Sequence, residues 1–442
     1  MAAPDAPVPP RTLRRAATAS LIGTAIEWYD FFVYGTAAAL VFAPQFFPQY
    51  SGLAGTLAAF STFAIGFLAR PIGGVVMGHF GDKIGRKSML VLSLLLMGLA
   101  TFGIGLLPTY ASIGAAAPIL LVVLRFVQGL GVGGEWGGAA LLAVENAPKH
   151  KRGFYGSFPQ MGVPIGVILA NLVYLIVVGT LGTKQFADWG WRIPFLLSII
   201  LVGVGFYVRS RIGETAAFTA SRKETPRRGS PVIEVLRRHP KQVLLAGGTF
   251  LANNAVGYVI IVYILSYGRT VLKVNDKAML AVVLVGSVVW LAALPVFSAL
   301  SDRLGRRTVF VAGGVLSLAW AIPMFALIDT ASLPLMLLAV VVMALSLAAT
   351  YGPQAALFAE LFDTEVRYSG ASLGYQIGAV LGGGLAPFIA TALFASTGSS
   401  LATGGYLVGL SAVSLICIAL LGETRHRNLH AEEAMENYEK AS

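Results

Sequence analysis

The chain has 442 residues, 56% of them hydrophobic and only 12% charged, with a mean hydropathy of +0.75. A soluble domain carries about 25% charged residues, so a globular protein with water as its main solvent is excluded. The net charge of +11 comes from residues in short loops beside apolar stretches. Topology and anionic lipid account for it there, and no nucleic-acid partner is read from it.

The N-terminal MAAPDAPVPPRTLRR belongs to a Pro-rich, basic tail, residues 1–16. The apolar segment behind it resembles a signal-peptide core, but it holds Glu27 and Asp30, runs to about Phe42 and precedes many further spans. It is read as a first membrane helix, retained. Apolar stretches of about 20 residues, enough to cross a hydrocarbon core of about 30 Å, then recur along the chain. Spans are placed near 17–42, 55–78, 88–107, 117–143, 154–180 and 192–209. A second set falls near 243–267, 278–299, 308–328, 334–358, 370–396 and 402–421. Lipid offers backbone groups no hydrogen bonds, so helices are the default, and the ~10-residue alternating segments of a barrel are absent. The expected fold is an all-α membrane protein of about twelve transmembrane helices in two pseudo-symmetric six-helix bundles. The bundles occupy 17–209 and 242–421, joined by a polar linker at 210–241 and followed by a tail at 422–442.

Lys and Arg collect before the first span and after the second, fourth, eighth and last, whereas loops 43–54 and 108–116 carry none. That bias places both termini and the linker in the cytoplasm of a cell whose inner or plasma membrane the chain spans. The single cysteine, Cys417, permits no internal disulfide, and no metal site or cofactor is expected. GVGGEWGG follows a membrane helix rather than a strand and lacks the Gly-Lys-Ser/Thr of a nucleotide loop, so ATP hydrolysis is dismissed.

Two patterns recur half a chain apart. GHFGDKIGRK (Gly78 to Lys87) follows the second span and SALSDRLGRR (Ser298 to Arg307) the eighth. Glu145 and Arg152 bracket the loop after the fourth span, and Glu360 and Arg367 do so after the tenth at identical spacing. Two parallel six-span halves are a known architecture of secondary transporters.

On these residues, and on GTAIEWYDFFVYGTAAALVF, FAIGFLARPIGG, RFVQGLGVGGEWGGAALLAVENAP, WGWRIPF and AELFDTEVRYSGAS, the chain resembles the major facilitator superfamily over nearly its whole length. Within it the chain looks like the metabolite:proton symporters, whose members include shikimate, α-ketoglutarate and proline/betaine permeases. The resemblance implies that the loop motif closes a cytoplasmic gate. Asp82 would meet a helix N-terminus across the halves, and Arg86 and Lys87 would pair with acids such as Glu145. Asp302, Arg306, Arg307 and Glu360 would act likewise in the second half, with Arg152 and Arg367 completing the set. Ser298 stands where the first copy has Gly78, so a looser helix contact is expected there. The bland alternative is that the basic residues only set topology.

Ionisable side chains at bilayer depth cost several kcal/mol and default to a functional reading. Glu27 and Asp30 lie one turn apart on an expected common face, and Arg70 reaches a similar depth on the second span. A carboxyl that gains and loses a proton as a nearby cation moves is what proton coupling needs. Glu27 and Asp30 are the first candidates and Glu135 the next; a static ion pair locking two helices is the alternative. Arg70, Arg125 and Gln128 are candidates to grip a carboxylate, since a guanidinium holds one by two parallel hydrogen bonds. Asn253, Asn254, Tyr258, Tyr351, Gln354, Tyr375 and Gln376 are expected to read solute shape in the second half; taken singly, each is as readily an interhelical hydrogen bond worth about 1 kcal/mol.

The expected function is proton-coupled import of a small organic solute by alternating access, with the proton gradient as driving force. A carboxylate such as a shikimate-like hydroxy acid or a dicarboxylate is favoured, and a zwitterionic osmolyte such as proline or betaine is the alternative. A non-transporting membrane receptor with the same fold is the rival from another class. The expected partners are the solute, the proton and the bilayer, with the chain a monomer and not an enzyme.

Overall fold

The computed structural model describes residues 10–84, 86–133, 135–145, 147–211, 231–363 and 366–427, the side chains at 10–17, 19, 77–88, 90, 135, 139, 142, 208–211 and 231–233 excepted. Twelve helical spans run in order through them. The first half holds Pro10–Ala37, Gly52–Ile84, Arg86–Leu106, Ala116–Val132 continued by Glu135–Glu145, Arg152–Gln185 and Arg192–Arg211. The second holds Pro240–Tyr258 continued by Ile264–Thr270, then Asp276–Leu304, Arg306–Ile328, Leu333–Tyr351 continued by Gln354–Leu361, Arg367–Gly378 continued by Ala386–Thr397, and Leu401–Leu420. Among the described residues nine helices are long and apolar enough to cross a membrane, and Val91–Leu106 and Arg192–Tyr207 add two shorter apolar ones.

Side chains are sorted inside out, as a lipid solvent requires. On the fourth span Ile119, Val123 and Phe126 form an exposed apolar stripe, while Leu121, Arg125 and Gln128 are buried. On the second, Leu68, Ile72 and Val75 face outward and Arg70 faces in. Charge therefore points to the protein interior, the arrangement a low-dielectric surround enforces.

Packing repeats with an offset of six spans. The first packs on the fifth as the seventh does on the eleventh, the second on the fourth as the eighth on the tenth, and the third on the sixth as the ninth on the twelfth. Between the halves the fifth span meets the eighth and the second meets the eleventh, again a symmetric pair. Glycine makes this closeness possible. A methyl at Gly129 would strike the Gly66 carbonyl and one at Gly382 the Leu251 carbonyl, so the second and fourth spans, and the seventh and eleventh, touch backbone to backbone.

Hydropathy does not reveal the π-helical turns at Ala38–Phe42 and Val259–Tyr263, in the first and seventh spans, or at Ala379–Gly384 in the eleventh. Such turns interrupt the i→i−4 ladder and leave carbonyls available to other donors. Within the stretch read as linker, Pro231–Arg238 is helical and packs on the seventh and eleventh spans, with Val235 buried.

Candidate functional site

At the end of the bundle where the fourth and tenth spans finish, the halves are joined by charge. Asp302 accepts the backbone N–H groups of Gly153 at 2.8 Å and Phe154 at 2.9 Å, the first-turn amides of the fifth span. These donors have no partner within their own helix, and the helix dipole favours an anion beside them. Arg306 holds Asp302 at 2.6 Å and Glu360 at 3.2 Å. Glu360 in turn lies 4.0 Å from Arg152 of the other half, and Arg367 pairs with Glu145 across the halves at 3.1 Å. Arg307 contributes its backbone N–H to Glu423, as Arg306 does. The segment after the last span is tied into the same cluster: Thr424 donates to Glu360 at 2.8 Å, Arg427 donates to the Glu360 and Leu361 carbonyls, and Arg152 donates to the Arg427 carbonyl at 3.0 Å.

One expectation is corrected here. The contact of the second motif copy is not loose, because the room is made on the facing helix. A methyl at Gly153 would stand 2.6 Å from the Ser298 carbonyl, and one at Gly352 would stand 2.5 Å from the Ser298 hydroxyl. Glu145 is held by Arg367 of the other half. The side chains of Asp82, Arg86 and Lys87 lie outside the described residues, as does that of Glu135.

At mid-depth an aromatic wall separates the halves. Tyr258 of the second half stands edge-on to Phe67 and Phe63, 5.1 and 5.6 Å between centroids. Trp136 stacks on Tyr375 at 3.9 Å, and Phe250 lies between Tyr375 and Tyr351. Two guanidinium groups are set into this wall. Arg70 lies over Phe31 and Phe67 at 4.3 and 4.4 Å, and Arg125 over Phe31 and Tyr34, each at 4.1 Å. Ring faces attract cations, which lowers the cost of burying both. Gly66 gives the Arg125 guanidinium its place, since a methyl there would overlap Nε.

Hydrogen bonds divide these groups into engaged and unengaged. Among the described residues, the Nε and Nη2 atoms of both arginines, the whole Gln354 amide and the Gln376 carbonyl oxygen are buried without a hydrogen-bond partner. The Asp30 carboxylate oxygens and the Tyr258 hydroxyl meet none at full hydrogen-bond geometry, though Thr101 and Arg70 lie beside them. Polar atoms left so in a dry interior cost about 1–3 kcal/mol each, and where they cluster they mark a place built for something else to bind. The Gln376 amide nitrogen donates across the halves to the Gly133 carbonyl at 2.9 Å. Asn253, by contrast, is spent on Thr350 and the Leu347 carbonyl, and Asn254 on the Phe250 carbonyl one turn back. For Asn253 the interhelical-bond reading fits the geometry, whereas the Asn254 bond stays within its own helix. Gln128 is also engaged: its Oε1 accepts from Arg125, and its Nε2 donates to the Asp30 carbonyl at 3.1 Å and to Thr101 at 2.8 Å.

Glu27 and Asp30 do not share one environment. Asp30 faces the third span, its Oδ2 beside Gly98 and its carboxyl next to Thr101. Glu27 is within electrostatic reach of Tyr351 and Tyr375 of the second half. Three residues advance a helix by 300°, and two short side chains 60° apart can still diverge to different neighbours. Arg70, expected at the depth of these two acids, lies over the Phe31 and Phe67 rings. Sequence reasoning missed Gln160, which accepts from the Trp136 indole at 2.8 Å and donates across the halves to the Tyr351 carbonyl at 3.2 Å. A buried amide inside an apolar run was the signal available.

At the far end Arg269 donates to the Leu40 carbonyl across the halves and lies 3.5 Å from Asp276. Leu40 sits in the first π turn, where the broken ladder frees an acceptor. The halves thus touch at both ends and in the middle.

A chain built this way has known relatives. The family described as "Sugar (and other) transporter" matches residues 16–238 and 220–435. The chain belongs to that family. The inner membrane metabolite transport protein YhjE of Escherichia coli K12 is 43% identical over 426 residues, 95% of this chain and 97% of its own length. The shikimate transporter of the same strain is 43% identical over 420 residues, 93% and 95% of the two chains. A proline/betaine transporter of Salmonella typhimurium is 34% identical over 426 residues, covering 94% and 85%. Among solved structures, the proton:xylose symporter XylE of the major facilitator superfamily superposes with a TM-score of 0.75 at 18% identity, over 96% of this chain and 98% of that one. At that identity the likeness is one of fold: two six-helix bundles, as in that symporter.

Proposed function

We propose that this transporter imports a small organic carboxylate together with a proton through the inner or plasma membrane, with both termini in the cytoplasm. One observation carries the reading: Arg70 and Arg125 converge on the Phe31 ring with four guanidinium N–H sites unpartnered. Two buried cations held close together need an anion, and a carboxylate accepting from both satisfies them at once. Tyr258, Gln354 and Gln376 of the second half would then read the rest of the solute, with Tyr351 and Tyr375 as walls.

The proton belongs on the first-half acids, Asp30 foremost, with Glu27 and Glu135 as the other candidates. Solute and proton must each favour the occluded form for transport to be coupled. The charge cluster around Asp302, Arg306 and Glu360 is the cytoplasmic gate, which opens to release both.

Purified protein in proteoliposomes tests this. Imposed inside-alkaline pH should drive accumulation of labelled shikimate or a related acid, and counterflow should proceed without a gradient. Asp30→Asn should abolish accumulation and leave counterflow. Neither activity with any small acid would remove the transport reading in favour of a receptor. The zwitterion reading draws on the aromatic faces around the site, which also suit a quaternary ammonium; uptake of glycine betaine in preference to acids would select it.

A further inference from the structure

We infer that Gln128 is a positioning residue that couples the solute-gripping arginine to the proton-carrying acid, rather than a solute ligand itself. The inference rests on the reading of Asp30 as the proton site. Arg125 and Asp30 form no ion pair, yet both are fully buried, and one amide bridges them. Gln128 takes the Arg125 Nη1–H on Oε1 and gives its two Nε2 hydrogens to the Asp30 carbonyl and to Thr101. With those bonds the amide has nothing left to offer a solute beyond one lone pair.

Thr101 makes the arrangement responsive to charge. Its single hydroxyl hydrogen goes to the Met97 carbonyl at 2.8 Å, so toward Gln128 it can only accept. The Asp30 carboxyl oxygens meet no donor at full hydrogen-bond geometry among the described residues, although the Thr101 hydroxyl is close beside them. That pattern suits a neutral acid. When the proton leaves for water on the cytoplasmic side, the new carboxylate needs donors. The Thr101 hydroxyl beside it and the Gln128 amide, already on the Asp30 backbone carbonyl, can supply them. Turning the amide toward the carboxylate draws Oε1 away from Arg125, and the freed guanidinium shifts its hold on the solute. Solute grip and carboxylate charge thus compete for one side chain. The other ionisable groups near Asp30 are Glu27 and Tyr29 on its own span; the facing third span presents Thr101 and the fourth presents Gln128 and Arg125.

The test needs no identified solute. The carboxylic C=O stretch of Asp30 is followed by infrared difference spectroscopy of the full chain in lipid across pH, assigned by its loss in Asp30→Asn. Arg125→Met should move the titration midpoint by roughly one unit when Gln128 is present, and by less than a third of that in a Gln128→Met background. Gln128→Leu, which likewise removes the acceptor and both donors without adding charge, should give the same reduced coupling and serves if the Met variant does not fold. Equal midpoint shifts with and without Gln128, or no shift in either, would overturn the proposal. Absence of any band that Asp30→Asn removes would instead refute the proton-site reading beneath it.

Discussion

Arg306 and Glu360 face each other 3.2 Å apart with no side-chain surface left to solvent on either. The same guanidinium holds Asp302 at 2.6 Å, and Asp302 in turn caps the fifth span of the other half. One cation therefore links a charge within the second half to a helix end in the first.

Glu360→Gln should loosen that link. Arg306 keeps Asp302, so the loss is below the cost of breaking an isolated buried pair, about 3–5 kcal/mol, and it falls on the closed form. Hydrogen exchange reads the outcome: the Gly153 and Phe154 amides should exchange faster in the variant. Unchanged protection there would mean that Asp302 caps the fifth span without help from the Arg306–Glu360 pair.

Gly153→Ala tests the same closure by size alone. The added methyl would lie 2.6 Å from the Ser298 backbone oxygen and from the Arg306 guanidinium, and a backbone atom yields little. The expected result is a transporter biased toward the form open at this end, with uptake at least tenfold slower and the affinity of the opposite-facing form for solute nearly unchanged. Wild-type turnover would show that the closed contact relaxes without consequence.

This closure was legible in the sequence because its parts recur: Asp302 with Arg306, and Glu360 with Arg367, stand at spacings the first half repeats. Its tightness was not legible, since the room is made by Gly153, distant in sequence from Ser298. Nor was the role of Glu423, which accepts the Arg306 and Arg307 N–H groups from beyond the last span, where nothing in composition signals a partner. At mid-depth, burial of Arg70, Arg125 and Asp30 followed from the cost of charge in lipid. The ring contacts of the two arginines did not follow, since Phe31 and Tyr34 reach the guanidinium groups from another span. Trp28 and Phe31 flank Asp30 within one turn, and aromatic residues so close to buried charge were the overlooked cue.

Arg125→Ala should separate the two candidate solute classes. Hydrogen bonds from a guanidinium to a carboxylate contribute about 1.5–3 kcal/mol, or roughly tenfold to a hundredfold in affinity. Thermal-shift titration with a hydroxy acid should lose that much, while glycine betaine, whose ammonium rests on ring faces, should lose far less. Equal losses for both would take the carboxylate clamp away from Arg125.

The opposite end rests on a different device. Arg269 reaches the Leu40 carbonyl, which the π turn Ala38–Phe42 leaves available, and it also lies 3.5 Å from Asp276. Asp276 is buried, and its Oδ2 has no hydrogen-bond partner. Arg269→Gln should therefore do two things: weaken the contact between the halves, and strand a buried carboxylate at a cost of about 1–3 kcal/mol. Adding Asp276→Asn should recover most of the lost thermal stability, because removing both partners of a pair is less damaging than removing one. It should not restore closure, since the Leu40 carbonyl still lacks its cation. Entry of a membrane-impermeant thiol reagent to a cysteine placed at Gly55 would follow closure, with Cys417 first replaced by serine. Restored stability with persistently raised labelling is the expected signature; labelling that returns to the wild-type level in the double variant would show that Arg269 serves only to neutralise Asp276.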